Sequence, residues 1–85
     1  METENQKAYN ARKAVSKEER KIRNRINFLE NEIDRLEKEM KKIEEVLASP
    51  GPDDDIMELT RSYLEHKRDL DARTEEWAEL SEQLG

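Results

Sequence analysis

Apolar residues recur at alternating intervals of four and three positions in the first half of the chain, and this repeat constrains the fold more than any other feature. The residues are Ile22, Ile26, Leu29, Ile33, Leu36, Met40, Ile43 and Leu47. This spacing is the heptad pattern of a helix that supercoils around another helix. Because one helix cannot bury such a stripe by itself, it needs a partner from the same chain or from a second copy.

The composition restricts the fold to long helices. Only 33% of the 85 residues are apolar, too few for a layered globular core, while 45% are charged. The chain contains no cysteine and no apolar run close to the roughly 20 residues that a membrane span requires. The sequence therefore predicts an all-α, cytoplasmic protein with no membrane contact.

The predicted boundaries follow from caps and breakers. Residues 1–15 show no clear apolar period and are predicted to be a flexible or partly helical basic arm, or a linker. The segment Ser16–Glu19 matches the capping box, so helix 1 is expected at about 17–48. Two prolines flank Gly51 in the next segment, which predicts a turn at 49–54, with Gly51 permitting the reversal.

Helix 2 is predicted at about 55–84, with Asp55 as its N-cap. Its heptad positions are poorer than those of helix 1, because His66 and Arg73 interrupt the apolar residues. A short connection favours an antiparallel two-helix coiled-coil hairpin, in which Trp77 would be the largest buried anchor. Two registers remain open, with Trp77 opposite either Ile22 or Leu29.

Few residues suggest catalytic chemistry. His66 is the only histidine and has no cysteine or second histidine to share a metal, so it is interpreted as a side chain of the seam. Arg73 is expected to lay its stem on the seam, and the acidic run Asp53–Asp55 to cap helix 2. No phosphate-binding loop or nucleophile with a base is present. The chain alone is predicted to be non-catalytic, with no cofactor or metal site.

Charge is divided along the chain. Residues 7–25 carry eight basic and two acidic side chains, a balance of +6, whereas residues 26–85 carry eight basic and eighteen acidic ones, a balance of -10. A solvated basic run and contact with nucleic-acid phosphates both remain open. Base-edge readers and interleaved aromatic residues are expected to be missing, with Tyr9 as the only aromatic residue near the basic stretch. The predicted nucleic-acid-binding residues are Lys13, Lys17, Arg20, Lys21, Arg23 and Arg25.

Three segments together resemble a known family. They are the basic segment Tyr9–Lys13, the turn Leu47–Pro50 and the ending Glu75–Leu80, with a charged helix on each side of the turn. Their order resembles the C-terminal coiled-coil domain of the ABC-F ATP-binding cassette proteins over roughly residues 9–84. The connection here, Ser49–Asp55, is shorter than in many relatives, which weakens any role given to an elaborate hairpin tip.

The resemblance implies a role that the residues alone do not establish. It implies an accessory domain that contacts ribosomal RNA or DNA, attached to upstream nucleotide-binding domains that would hold ATP and Mg and form an ATPase. Two other readings stay open: a coiled-coil oligomerisation module, and the tRNA-binding arm of an aminoacyl-tRNA synthetase. A monomer is expected over a homodimer, because the second half of the chain can cover the first.

Overall fold

Two antiparallel helices form the whole described fold. The computed structural model describes residues 4–85, with side chains from Ser16 onward. Helix α1 spans Glu4–Ala48 and helix α2 spans Ile56–Leu84. They pack along one face in a hairpin that measures 76 × 19 × 14 Å. The predicted all-α hairpin is therefore confirmed.

Helix α1 begins earlier than predicted. Its backbone is helical from Glu4, so the expected boundary at residue 15 is absent and the helix cap predicted at Ser16 is wrong. Residues 4–48 contain neither glycine nor proline, so nothing in the sequence interrupts the helix there. Ser16 lies inside the helix, where the amides that it would cap already have partners one turn earlier.

The connection between the helices is held by short polar contacts. The Ser49 amide donates to the Val46 carbonyl at 3.2 Å, and the Gly51 amide donates to Asp54 Oδ2 at 2.7 Å. No residue described has a positive φ, so the reversal does not use the left-handed conformation available to Gly51. We attribute the end of α1 to Pro50 and Pro52, which cannot continue a helix.

The cap of α2 forms as predicted. Asp55 has extended backbone angles, φ -90° and ψ 99°, and its side chain accepts a hydrogen bond from the Glu58 amide at 3.1 Å. This contact satisfies one of the amides left free at the start of a helix. It confirms the structural interpretation of Asp55.

The core is narrow and comes from α1. Among the described side chains, Leu29, Leu36 and Met40 are buried, with 0%, 2% and 9% of their surface exposed, and α2 contributes no buried residue. Trp77 is 37% exposed, so its predicted role as the largest buried anchor is wrong. Within residues 4–85, two helices share one seam and no third element covers its edge, where the indole lies.

Polar contacts between the helices identify the register. Trp77 Nε1 donates to Glu30 Oε1 at 3.2 Å, and the Tyr63 hydroxyl donates to Glu44 Oε1 at 2.7 Å. Both pairs fit the register that sets Trp77 opposite Leu29, and neither fits the alternative with Ile22. The last residue of α2, Leu84, then comes opposite Ile22. Residues 4–21 of α1 consequently extend about 27 Å beyond the end of α2.

Candidate nucleic-acid interface

Most of the predicted basic residues lie on the extension of α1. Lys17, Arg20 and Lys21 belong to it, Arg23 lies two residues past its end, and all four side chains are exposed. Lys13 lies in the described backbone of α1, but its side chain is outside the described residues. The hairpin thus presents its positive charge on a single helix that protrudes from an acidic body.

Few ion pairs reduce this charge. Lys21 Nζ lies 3.4 Å from Glu18 Oε1, and both side chains are about two-thirds exposed, so water screens the pair strongly. Among the side chains from residue 16 onward, Lys17, Arg20 and Arg23 make no ion pair within 4.0 Å. These three cations are available to an anionic partner.

Arg25 has a different environment from the other predicted residues. Its Nε and Nη2 atoms donate to Oε2 and Oε1 of Glu76 at 2.6 and 3.0 Å. The guanidinium carbon also lies 4.9 Å from the centre of the Phe28 ring, within the range of a cation–π contact. Arg25 therefore joins α1 to α2 and contacts an aromatic ring, which leaves it less available to phosphate than its neighbours.

Phe28 is a candidate site residue that the sequence analysis missed. Its ring is 45% exposed, although an apolar ring of this size is usually covered. Lys17, Lys21, Asn24 and Phe28 follow one another at intervals of four, three and four residues, so they share one face of α1. A helical projection of residues 16–35 would have placed Phe28 outside the seam and beside the lysines.

His66 and Arg73 are partly buried on α2, and Arg73 Nε is buried without a hydrogen-bond partner among the described residues. His66 is partly buried, and its Nδ1–H donates to the Ser62 carbonyl one turn earlier at 2.6 Å. Arg73 lies near Glu32 and Glu76, and it adds to the effect of Arg35 and Arg25 respectively in lowering the pKa of those carboxyl groups. Within the described side chains, no group of three or more potential ligands could hold a metal ion.

Trp77 borders an open groove of about 290 Å³ between the helices. The groove is lined by Glu30, Ile33, Asp34, Glu37, Thr74 and Trp77. Two of these carboxylates already have partners, because Glu30 accepts the indole N–H and Asp34 lies 2.8 Å from Lys38 Nζ. The groove is thus an acidic edge of the hairpin and does not extend the basic surface.

The Arg25–Glu76 contact predicts that acid weakens the hairpin. The hydrogen bonds from Arg25 hold the pKa of Glu76 below its ordinary value of 4.5. A lowered carboxyl pKa stabilises the fold above the unfolded-state pKa, and this contribution is lost as pH falls through the folded-state value. We expect the melting temperature measured by circular dichroism to fall progressively as the pH is lowered below about 4.5.

Glu32 and Glu58 also have a lowered pKa, caused by hydrogen bonds from Arg35 and Arg61 within one helix. Glu76→Gln removes the charged pair that joins the two helices and leaves the pairs of Glu32 and Glu58 intact. We therefore expect this variant to lose less stability in acid than the original chain does. Identical pH profiles of the two proteins would contradict a stabilising role for the Arg25–Glu76 pair.

Comparison with known proteins identifies the family. Residues 16–82 match the family model described as the ABC transporter C-terminal domain. The comparisons with curated proteins and with solved structures gave no significant match. Within residues 4–85, no helix combines the length and the apolar character needed to cross a membrane. The match covers the turn and most of each helix, and the chain belongs to the ABC transporter C-terminal domain family, whose members are accessory domains of ABC proteins.

Proposed function

We propose that this domain docks a cytoplasmic ABC-F-type protein onto nucleic acid, ribosomal RNA or DNA, through the protruding basic part of α1. The observation that carries the proposal is the position of Lys17, Arg20 and Arg23. They are exposed, they have no carboxylate partner among the described side chains, and they lie at or beyond the end of α2. A rod of this kind can approach a phosphate backbone without carrying the acidic body into contact with it.

The division of charge supports one orientation. Residues 26–85 have a balance of -10, so an anionic partner is repelled from most of the hairpin and attracted to its basic end. Contacts between cations and phosphates position a protein but do not read sequence. The domain would therefore hold its parent protein in place while the upstream nucleotide-binding domains, which would bind ATP and Mg, supply the ATPase activity.

The packing of α1 favours this role over oligomerisation. The apolar seam that could pair with a second copy is already covered by α2, and Leu29 and Leu36 are buried within one chain. A monomer at micromolar concentration would agree with this argument, and its mass in solution can be measured by light scattering.

Charge reversal tests the proposed contact. The variant K17E/R20E/K21E/R23E should bind fluorescein-labelled RNA or DNA at least about tenfold more weakly than the original chain, as measured by fluorescence anisotropy at low salt. Affinity of the original chain should also fall steeply between about 50 and 200 mM salt, because binding releases counterions.

The matched control reverses four exposed cations elsewhere on the hairpin, in the variant K41E/K42E/K67E/R68E. Both variants carry the same net charge, so a general loss of attraction would weaken them equally. We expect the control to bind within about threefold of the original chain. Equal losses in the two variants, or binding that does not respond to salt, would count against a localised phosphate contact.

A further inference from the structure

One side of α1 carries a continuous stripe of exposed residues, and only part of this stripe belongs to the proposed contact with phosphates. Between residues 17 and 35, at about 100° per residue, one set of exposed positions falls within an arc of about 80° that points away from the seam. These positions are occupied by Lys17, Lys21, Asn24, Phe28, Asn31 and Arg35. No carboxylate occupies any of them. We call this set the outer face.

The centre of the outer face differs chemically from its ends. Lys17 and Lys21 lie at one end and Arg35 at the other, whereas the stretch between contains two amides, Asn24 and Asn31, around the ring of Phe28. Arg35 Nη2 lies 2.9 Å from Glu32 Oε2 on the same helix, in a pair that leaves 55% of the Arg35 side chain exposed and that water screens. The distance along the helix axis from Lys21 to Arg35 is about 21 Å. In a nucleic-acid strand, bases alternate with phosphates. The cations at the ends of the outer face can contact phosphates, while the neutral centre with its aromatic ring can contact a base.

The ring of Phe28 is held from one side. Arg25 lies over it at 4.9 Å and is itself fixed by two hydrogen bonds to Glu76 on α2. The 45% of Phe28 that remains exposed is therefore presented by a supported side chain and not by a free one. An exposed apolar ring that the fold supports, on a face otherwise polar and basic, is the arrangement of a stacking platform.

We infer that the outer face binds unpaired nucleotides, with Phe28 stacking on a base while Lys17, Lys21 and Arg35 contact the phosphates on either side. This inference rests on the proposed function and names its substrate class. Bases inside a duplex stack on each other and offer only their edges, so Phe28 could not stack there, whereas an unpaired base exposes a flat surface. Asn24 and Asn31 can each donate and accept a hydrogen bond at the base edges beside the ring.

The experiment compares strands with duplexes. The probes are a fluorescein-labelled single-stranded oligouridine and a labelled RNA hairpin with a fully paired stem, and each is titrated with the 85-residue chain. Phe28→Leu keeps an apolar side chain against Arg25 but removes the aromatic surface. We expect this variant to bind the single strand about fivefold or more weakly and the paired stem within about twofold of the original chain.

A tryptophan at position 28 tests the same contact directly, because a base that stacks on the indole changes its fluorescence. Because Trp77 would contribute its own fluorescence, the variant is made as F28W/W77F, with W77F as the reference. We expect F28W/W77F to bind oligouridine at least as tightly as W77F, with quenching of the indole fluorescence on binding. Circular dichroism should show that the variants keep the helical content of the original chain.

The outcomes separate the two proposals. If the original chain binds neither probe, the proposed function fails, and this inference fails with it. If the chain binds both probes but Phe28→Leu leaves the single strand unaffected, or weakens both probes equally, the stacking role is wrong while the phosphate contact stands. A selective loss for the single strand, together with quenching at position 28, supports the inference.

Discussion

Replacing Leu36 by alanine is expected to lower the melting temperature by about 10–40 °C. Leu36 is 2% exposed and lies in the middle of a core with only three buried side chains described. Leucine to alanine at a buried site costs about 2–5 kcal/mol, and each kcal/mol moves the melting temperature of a domain this small by about 4–8 °C. Thermal unfolding followed by circular dichroism at 222 nm measures the change.

Leu64 provides the matched control, because the same substitution can be made where the side chain is 55% exposed on α2. Leu64→Ala should change the free energy of unfolding by no more than about 0.5 kcal/mol. Both variants lose the same groups from a helix, so any difference between them reports burial and not helix propensity. Equal destabilisation of the two would mean that the seam between α1 and α2 is not the core.

Trp77→Ala separates the structure from the expectation based on sequence alone. A fully buried tryptophan at this position would cost about 3–5 kcal/mol when removed. Because the ring is 37% exposed and lies at the edge of the seam, we expect a smaller loss than for Leu36→Ala in the same melting experiment. A larger fall in melting temperature than that of Leu36→Ala would mean that the indole ring is central to the core after all.

The hairpin could be predicted from the sequence because its determinants are local. Apolar spacing identified the seam, two prolines identified the turn, and the Asp55 cap formed as expected. The start of α1 could not be predicted in the same way. A capping box is a preference for a helix start and not a barrier, and nothing between Glu4 and Ser16 stops a helix that has already begun.

The register of the two helices and the partners of individual side chains could not be predicted from the sequence. Two registers differing by one heptad bury similar apolar residues, so the choice depends on pairs such as Tyr63 with Glu44, which lie at the edges of the seam. Arg25 was grouped with its basic neighbours because charge alone gives no partner. Its contact with Glu76 requires knowing which turn of α2 lies opposite. Phe28 was missed for a related reason: it lies outside the apolar repeat, and its contact with Arg25 is visible only in the structure.

The turn between the helices decides whether one chain or two complete the seam. Replacing Pro50, Gly51 and Pro52 by alanine removes the residues that stop α1, and we expect α1 and α2 to join into one helix. A continuous helix cannot fold back, so its seam must be covered by a second copy in a swapped antiparallel dimer. Light scattering should then give twice the 10.1 kDa of one chain. The radius of gyration should rise well above 21.1 Å.

The single variant Gly51→Ala is the control for this experiment. Gly51 has no positive φ, and an added Cβ would approach only the Asp54 carboxylate, at 3.2 Å, so this variant should remain a monomer with unchanged dimensions. The comparison therefore isolates the two prolines. If the triple variant also stays monomeric, then the hydrogen bonds of Asp54 and Asp55 suffice to reverse the chain. If Gly51→Ala already dimerises, the turn is strained in a way that the prolines do not explain, and our account of why α1 ends at Ala48 is wrong.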